Sequence, residues 1–362
     1  MKLASNRLAD LFEVFRQHGS QWLSLRLLDP GAEAKSIEEW CERLLSGAGE
    51  ASGTAIAGMM LEYWRGLDIA GRYEFLDMLG SRFGVNAERL QKAIEAYQEA
   101  PGDRAALELH RAAEPRRQEL FRRLNLAVGG VATLVRMRED MLERHGGSSI
   151  HGAIDADFTH LFSSWFNRGF LTLQRVDWNT PASILEKIIR YEAVHEIGSW
   201  DDLRRRLQPE DRRCYAFFHP QLPGEPLIFV EVALTEDMPS AIAPLLRDEP
   251  AERPSRSPTH AVFYSISNCQ KGMRGISFGN FLIKQVVEEL RQEIPGLRHF
   301  VTLSPVPGFA AWLRGDPSTL PPAAGEVLKL VATQEWAQDE AVRKRLCEIL
   351  PPLAAGYFLS AR

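Results

Sequence analysis

Residues 260–309 read HAVFYSISNCQKGMRGISFGNFLIKQVVEELRQEIPGLRHFVTLSPVPGF. The run His260–Ser267 has the β-branched and aromatic content of a strand. A glycine-spaced turn follows, with Gly272, Gly275 and Gly279. From Asn280 to about Glu293, Leu282, Ile283, Val286, Val287 and Leu290 recur at three- and four-residue steps, which predicts an amphipathic helix. Pro295-Gly296 stops it, a second strand is expected over His299–Ser304, and Pro305-Val306-Pro307-Gly308 ends that strand. Strand, loop, helix and strand make one unit. If the two strands lie parallel in one sheet, their carboxyl ends share an edge, where open α/β sheets bind ligands. The loop Arg274–Asn280 is then expected at a helix N-terminus suited to an anion, with Ser304 on the same edge. The loop lacks the Gly-Lys-Ser/Thr ending of a P-loop and the spacing of a dinucleotide fingerprint, and an ordinary structural turn accounts for three glycines equally well.

Working outward, 362 residues suffice for two domains with cores of their own. The chain is 45% hydrophobic and 25% charged, in the range of globular proteins, and no apolar run approaches a membrane span. A net charge of −5 leaves no footprint for nucleic acid. Cys41, Cys214, Cys269 and Cys347 are scattered, without metal-ligand or redox spacing, so a reducing, cytoplasmic compartment is expected. Near the N-terminus, Leu3, Leu8, Leu11, Phe12 and Phe15 share one helical face, which reads as a first helix rather than a targeting segment.

Up to about residue 150 the patterns are helical: Ser36–Leu45, Ala55–Leu67, Gly71–Phe83, Ala87–Glu99, Asp103–Arg123 and Leu124–Glu143. Ser36 and Glu39 form a capping box. Arg116, Arg117, Arg122 and Arg123 interleave with Glu114 and Glu119, an ion-paired face. Gly146–Gly152 is the expected linker. Beyond it come a helix at Asp155–Asn167, a strand at Phe170–Val176, helices at Ala182–Tyr191 and Trp200–Leu207, and antiparallel strands at Cys214–His219 and Pro226–Thr235. The last strand is apolar on both faces. Pro239–Pro258 reads as a surface excursion, and Ala324–Ala332 and Gln334–Leu350 as helices.

The turn Arg274-Gly275-x-x-x-Gly279 between strand and helix resembles the acyl-CoA pyrophosphate loop of the GNAT acyltransferase fold. More narrowly, HPQLPGEPLIFVEVALT, FYSISNCQKGMRGISFGNFLIKQVV and LSPVPGFAAWL together resemble the malonyl-CoA decarboxylase family. FSSWFNRGFLTLQRVDWNTPASILEKII, EAVHEIGSWDDLRRRL and DRRCYAFFHP agree, and AVGGVATLVRMREDML carries a looser likeness into the helical part. The resemblance implies a helical N-terminal bundle, residues 1–150, that associates subunits into a homo-oligomer. It implies a GNAT-like acyl-CoA-binding α/β domain with a mixed sheet over residues 151–362.

The implied reaction converts malonyl-CoA to acetyl-CoA and carbon dioxide with no metal, biotin or other cofactor. The loop matching Arg274, Gly275, Ile276, Ser277, Phe278, Gly279 and Asn280 would hold the CoA diphosphate. The family's catalytic serine, in its Ser-Pro-x-Pro-Gly-Phe turn, falls on Ser304. Some members have Glu where this chain has Ser277, so no carboxylate is assigned there. From the residues alone, Ser304 reads as a strand end before proline, and the resemblance is what turns it into a catalytic candidate. Lys271 and Arg274 read as phosphate partners or as solvated charges, and Ser265 as a hydroxyl satisfied within the sheet or one that reaches the thioester. His260 and His299 read as structural, and His219 as shaping a turn. A GNAT-type N-acyltransferase and a non-catalytic acyl-CoA-binding protein are the alternatives.

The family pairs its serine with a histidine in a Pro-Val-Ala-x-Phe-His-Leu segment, whereas this sequence has no histidine after His299. The expectation is a domain lacking its C-terminal part and greatly reduced decarboxylation, with CoA binding retained. Carbon dioxide release from malonyl-CoA by these 362 residues should fall well below that of a chain extended through the family segment. Equal turnover refutes this.

Overall fold

A computed structural model describes residues 36–46, 50–144, 149–246, 257–276, 281–316, 319–332 and 335–360. The proposed first helix near Leu3–Phe15 lies outside these residues. The chain falls into two compact units, the first ending at Val301 and the second beginning at Thr302.

The first unit begins with helices α1 (Ile37–Leu45), α2 (Glu50–Gly66), α3 (Ile69–Arg82), α4 (Ala87–Glu99) and α5 (Asp103–Ala113). Side-chain oxygens of Ser36, Asp68 and Asn86 accept the first-turn amides of α1, α3 and α4. The helix expected over Asp103–Arg123 is two helices, α5 and α6 (Arg116–Asn125). Pro115 cannot donate to the helical ladder, and the amides after it turn instead to Gly84 and Phe83. The expected helix Leu124–Glu143 is likewise shortened to α7 (Gly130–Glu143). Gly129 sits at φ +73, and a Cβ on Gly130 would lie 2.3 Å from the Leu124 carbonyl oxygen. The next helix, α8 (Ser149–Trp165), starts inside the expected linker.

The sheet follows: β1 (Thr172–Val176), helices α9 (Ala182–Tyr191) and α10 (Trp200–Leu207), β2 (Arg212–Phe218) and β3 (Pro226–Thr235). The single-turn α11 (Ala243–Leu246) lies in the expected excursion, most of whose remainder is outside the described residues. Then come β4 (His260–Asn268), α12 (Phe281–Glu293) and β5 (His299–Thr302). The order is β1-β2-β3-β4-β5, antiparallel from β1 through β4. A helical crossover, α12, joins β5 to the sheet, which is mixed. Strand β3 is buried on both faces, as its apolar run requires. Ile228, Val230 and Val232 meet Leu282, Val286 and Leu290 of α12, while Phe229 packs with Leu185, Ile188 and Leu203 of α9 and α10. The register slips between Glu231 and Val232, leaving Tyr264 as an extra residue in β4.

In the second unit, α13 (Phe309–Leu313), α14 (Pro322–Leu330) and α15 (Glu340–Ser360) close around Leu313, Val327, Leu346, Ile349 and Leu353. Strand β5 ends two residues before Ser304, sooner than expected, because Pro305 restricts Ser304 and offers no amide. No helix among the described residues is long and apolar enough to cross a membrane.

Beneath the sheet, Glu231 is fully buried beside Arg206, with 2.9 Å between Oε2 and Nη1. Burial pushes its carboxyl up from 4.5 to about 7, against the pull of Arg206. The folded state therefore holds a proton that the unfolded state has released. Glu231's contribution to stability is complete below pH 4.5 and is lost as pH rises through about 7. Thermal unfolding across that window should show a smaller pH dependence in Glu231→Gln than in the parent. Identical slopes contradict it.

Candidate functional site

The loop after β4 is held from three sides. The Cys269 amide donates to the Leu227 carbonyl at 2.9 Å, and Gln270 Nε2 to the Pro226 carbonyl at 3.2 Å. Both bonds tie the loop to the start of β3. A single 3-10 turn, Lys271–Met273, then leads to Arg274 and to Gly275 at φ +79. Met273 and Ile276 turn inward and join the helical core.

The third tie comes from the helical region. Arg138 of α7 is 2% exposed. Its guanidinium donates to the Gly272 carbonyl at 2.7 Å, to Asp155 Oδ1 at 2.8 Å and to Thr159 Oγ1 at 3.3 Å. A Cβ on Gly272 would lie 2.0 Å from the Val135 carbonyl oxygen, so only glycine lets α7 and the loop approach this closely. At the rim, Lys271 Nζ meets Glu143 Oε1 at 2.7 Å. A cleft of about 330 Å³ opens here, lined in part by Glu139, Asn268, Lys271, Arg274 and Gly275. Burial holds the Glu139 carboxyl above its ordinary range.

Of the expected site residues, Arg274 and Gly275 are exposed on this cleft and Ile276 lines it from the core side. Ser277, Phe278, Gly279 and Asn280 lie outside the described residues. Ser304 belongs to the second unit, where it is exposed. Lys271 is exposed and pairs with Glu143 at the surface. Ser265 is buried, and its hydroxyl lies 2.8 Å from both carboxylate oxygens of Glu192, so it serves the sheet. Glu192 also accepts from Ser267 and from the amides of Val194 and His195. His260 and His299 stack at 4.4 Å across β4 and β5, and His219 Nδ1 accepts the Gln221 amide in its turn. These contacts lie within the sheet and its turns. Among the described residues, no three His, Cys, Asp or Glu are grouped to hold a metal.

Arg138, Glu143 and Glu192 were not legible as contributors. Arg138 had a signal: it interrupts the apolar face of Leu134, Val135, Met137 and Met141. A cation on such a stripe needs a buried partner. Which partner it finds depends on a residue more than a hundred positions away.

Residues 169–362 match the Malonyl-CoA decarboxylase C-terminal domain, and residues 83–166 match the corresponding N-terminal domain. The chain belongs to the malonyl-CoA decarboxylase family. It is 35% identical over 339 residues to malonyl-CoA decarboxylase, mitochondrial, of Anser anser anser, covering 82% of this chain and 66% of that one. Against the Mus musculus protein of the same name it is 38% identical over 270 residues, covering 70% and 55%. The chain thus spans between about half and two thirds of these curated relatives. The crystal structure of malonyl-CoA decarboxylase from Agrobacterium vitis superposes with a TM-score of 0.81 at 58% identity, over 89% of this chain and 79% of that one. That from Rhodopseudomonas palustris gives 0.81 at 55%, over 90% and 80%. The fold is the family's: a helical N-terminal region and a GNAT-like domain with a five-stranded mixed sheet.

Replacing Arg138 by Met should strand the Gly272 carbonyl and the Asp155 carboxylate. With Asp155 part-exposed, the expected cost is about 3 kcal/mol, at the low end for a broken buried ion pair. Denaturant unfolding measures it, and a loss under 1 kcal/mol removes Arg138 from this role.

Proposed function

We propose that this chain decarboxylates malonyl-CoA to acetyl-CoA and carbon dioxide. Family membership across both matched domains is the observation that carries the proposal. The described loop fits it in kind. Its backbone is pinned at Gly272, turns through a left-handed glycine at 275, and presents Arg274 to solvent. A rigid turn of this type lets amides approach a diphosphate closely. Arg274, Gly275, Ile276, Ser277, Phe278, Gly279 and Asn280 are assigned to CoA, and Ser304 to the malonyl group.

Loss of carbon dioxide leaves its electron pair on the thioester as an enolate. Negative charge grows on the carbonyl oxygen, and the α-carbon must then take a proton. The thioester is its own electron sink, so decarboxylation by this route calls for no metal or other cofactor. A placed donor to that oxygen is worth about 2.7–4 kcal/mol, and a placed proton source about 10²–10⁴ in rate. Ser304 is assigned to this work through its hydroxyl. The helical region is assigned to subunit association, and the compartment to the cytoplasm, where Cys41, Cys214, Cys269 and Cys347 would remain thiols.

Ser304→Ala should cut carbon dioxide release at least a hundredfold while CoA affinity changes less than threefold, about the loss of one oxyanion donor. Arg274→Ala should do the reverse, weakening CoA about tenfold, as for one charge-assisted contact. Unchanged turnover in the first variant removes Ser304. Acyl transfer to amines from acetyl-CoA, without decarboxylation, would favour the acyltransferase alternative.

A further inference from the structure

Near the start of the second compact unit lies Ser304-Pro305-Val306-Pro307-Gly308, a turn with few ties among the described residues. Its two prolines offer no amide. The Phe309 amide reaches the Val306 carbonyl at 3.3 Å, and the Trp312 amide reaches the Gly308 carbonyl at 2.8 Å, already within α13. Among the described residues, a further tie comes from α15. Tyr357 donates its hydroxyl to the Pro307 carbonyl at 2.7 Å.

That contact is built from both sides. The Tyr357 ring packs edge-on against Phe309 at 5.6 Å and tilted against Trp312 at 5.5 Å, and those two rings stack at 5.7 Å. Three aromatic faces therefore fix the hydroxyl's direction. On the turn side, Gly308 takes φ +76, and a Cβ there would lie 2.7 Å from Tyr357 Oη. The left-handed glycine brings the Pro307 carbonyl round to the phenol and leaves room for it. A free proline-rich turn would sample several backbone conformations, and one hydrogen bond with a packed donor selects among them.

We propose that Tyr357 is a positioning residue that holds the Ser304–Gly308 turn in the conformation from which Ser304 acts. This rests on the assignment of Ser304 made above. Tyr357 touches no reacting atom and acts only through the Pro307 carbonyl. Its hydroxyl should hold the turn by a factor of about three to ten, the worth of one neutral hydrogen bond.

Tyr357→Phe keeps the ring packing and removes the bond. Single-turnover carbon dioxide release, at stoichiometric enzyme, should slow about three- to tenfold, with half-saturation by malonyl-CoA within twofold of the parent. The double variant Ser304→Ala, Tyr357→Phe should be no slower than Ser304→Ala, because a positioned group that is gone cannot be mispositioned. Hydrogen exchange needs no turnover: the Phe309 and Trp312 amides, bonded to the Val306 and Gly308 carbonyls, should exchange faster in Tyr357→Phe, with α14 unchanged. Gly308→Ala should be better tolerated with Phe at position 357 than with Tyr, since the clashing oxygen is absent. Parent-like exchange at Phe309 and Trp312 overturns the proposal, as does parent-like release. A proportional loss of release and substrate affinity also overturns it, as a merely structural effect. Should Ser304→Ala retain full turnover, the assignment of Ser304 falls and the role of Tyr357 falls with it. Should Ser304→Ala abolish turnover while Tyr357→Phe does nothing, only the role of Tyr357 falls.

Discussion

A buried guanidinium organises the first unit. Arg138 projects from a helix into the underside of the loop after β4, and its three acceptors lie on two elements, Asp155 and Thr159 on α8 and Gly272 in the loop. A cation taken out of water is tolerable only when its donors are met. Gly272 completes the arrangement, because any side chain there would push α7 away and break the bond that Arg138 makes. Ordering of the loop and packing of the helices are thus one event. Two cores meet at this point, with Met273 and Ile276 continuing the helical core from the α/β side.

The sheet shows the complementary use of buried charge. Glu231 and Arg206 lie under β3, and Glu192 gathers two serine hydroxyls and two amides beneath β4. The register slip that leaves Tyr264 over falls opposite Glu231. Polar groups here steer the backbone of the central strands, while α12 covers the other face with Leu282, Val286 and Leu290 and, at its end, pairs Glu293 with Arg175 and Arg213.

Much of this was legible in the sequence where the signal is local. Periodicity and caps placed Ala87–Glu99, Ala182–Tyr191, Trp200–Leu207 and Pro226–Thr235 with the bounds observed. The continuous apolar run of β3 announced burial on both faces. Misreadings came where a single residue overrides a pattern. Pro115 splits a helix whose charge periodicity runs on unbroken, and Gly129-Gly130 shortens the next for want of space beside Leu124. The glycine turn was legible as a loop between strand and helix, but its support was not. Arg138 and Gly272 are 134 positions apart, and no local pattern pairs them. Ser304 is assigned by family resemblance rather than by spacing, and Tyr357, whose bond to Pro307 spans fifty positions, carried no signal at all.

Consider what the shared core means for the order of synthesis. Everything that seats the loop from below, α7 and α8, leaves the ribosome before β4 does, so the bundle can act as a preformed template for the segment that follows. A fragment cut at the family's own boundary, beginning at residue 169, would be born without that template. Its Met273 and Ile276 would face water, and the Gly272 carbonyl would have to find another donor. The seam between two homology units is here no seam in the folding of the chain, and dissection along it separates a turn from the scaffold that shapes it.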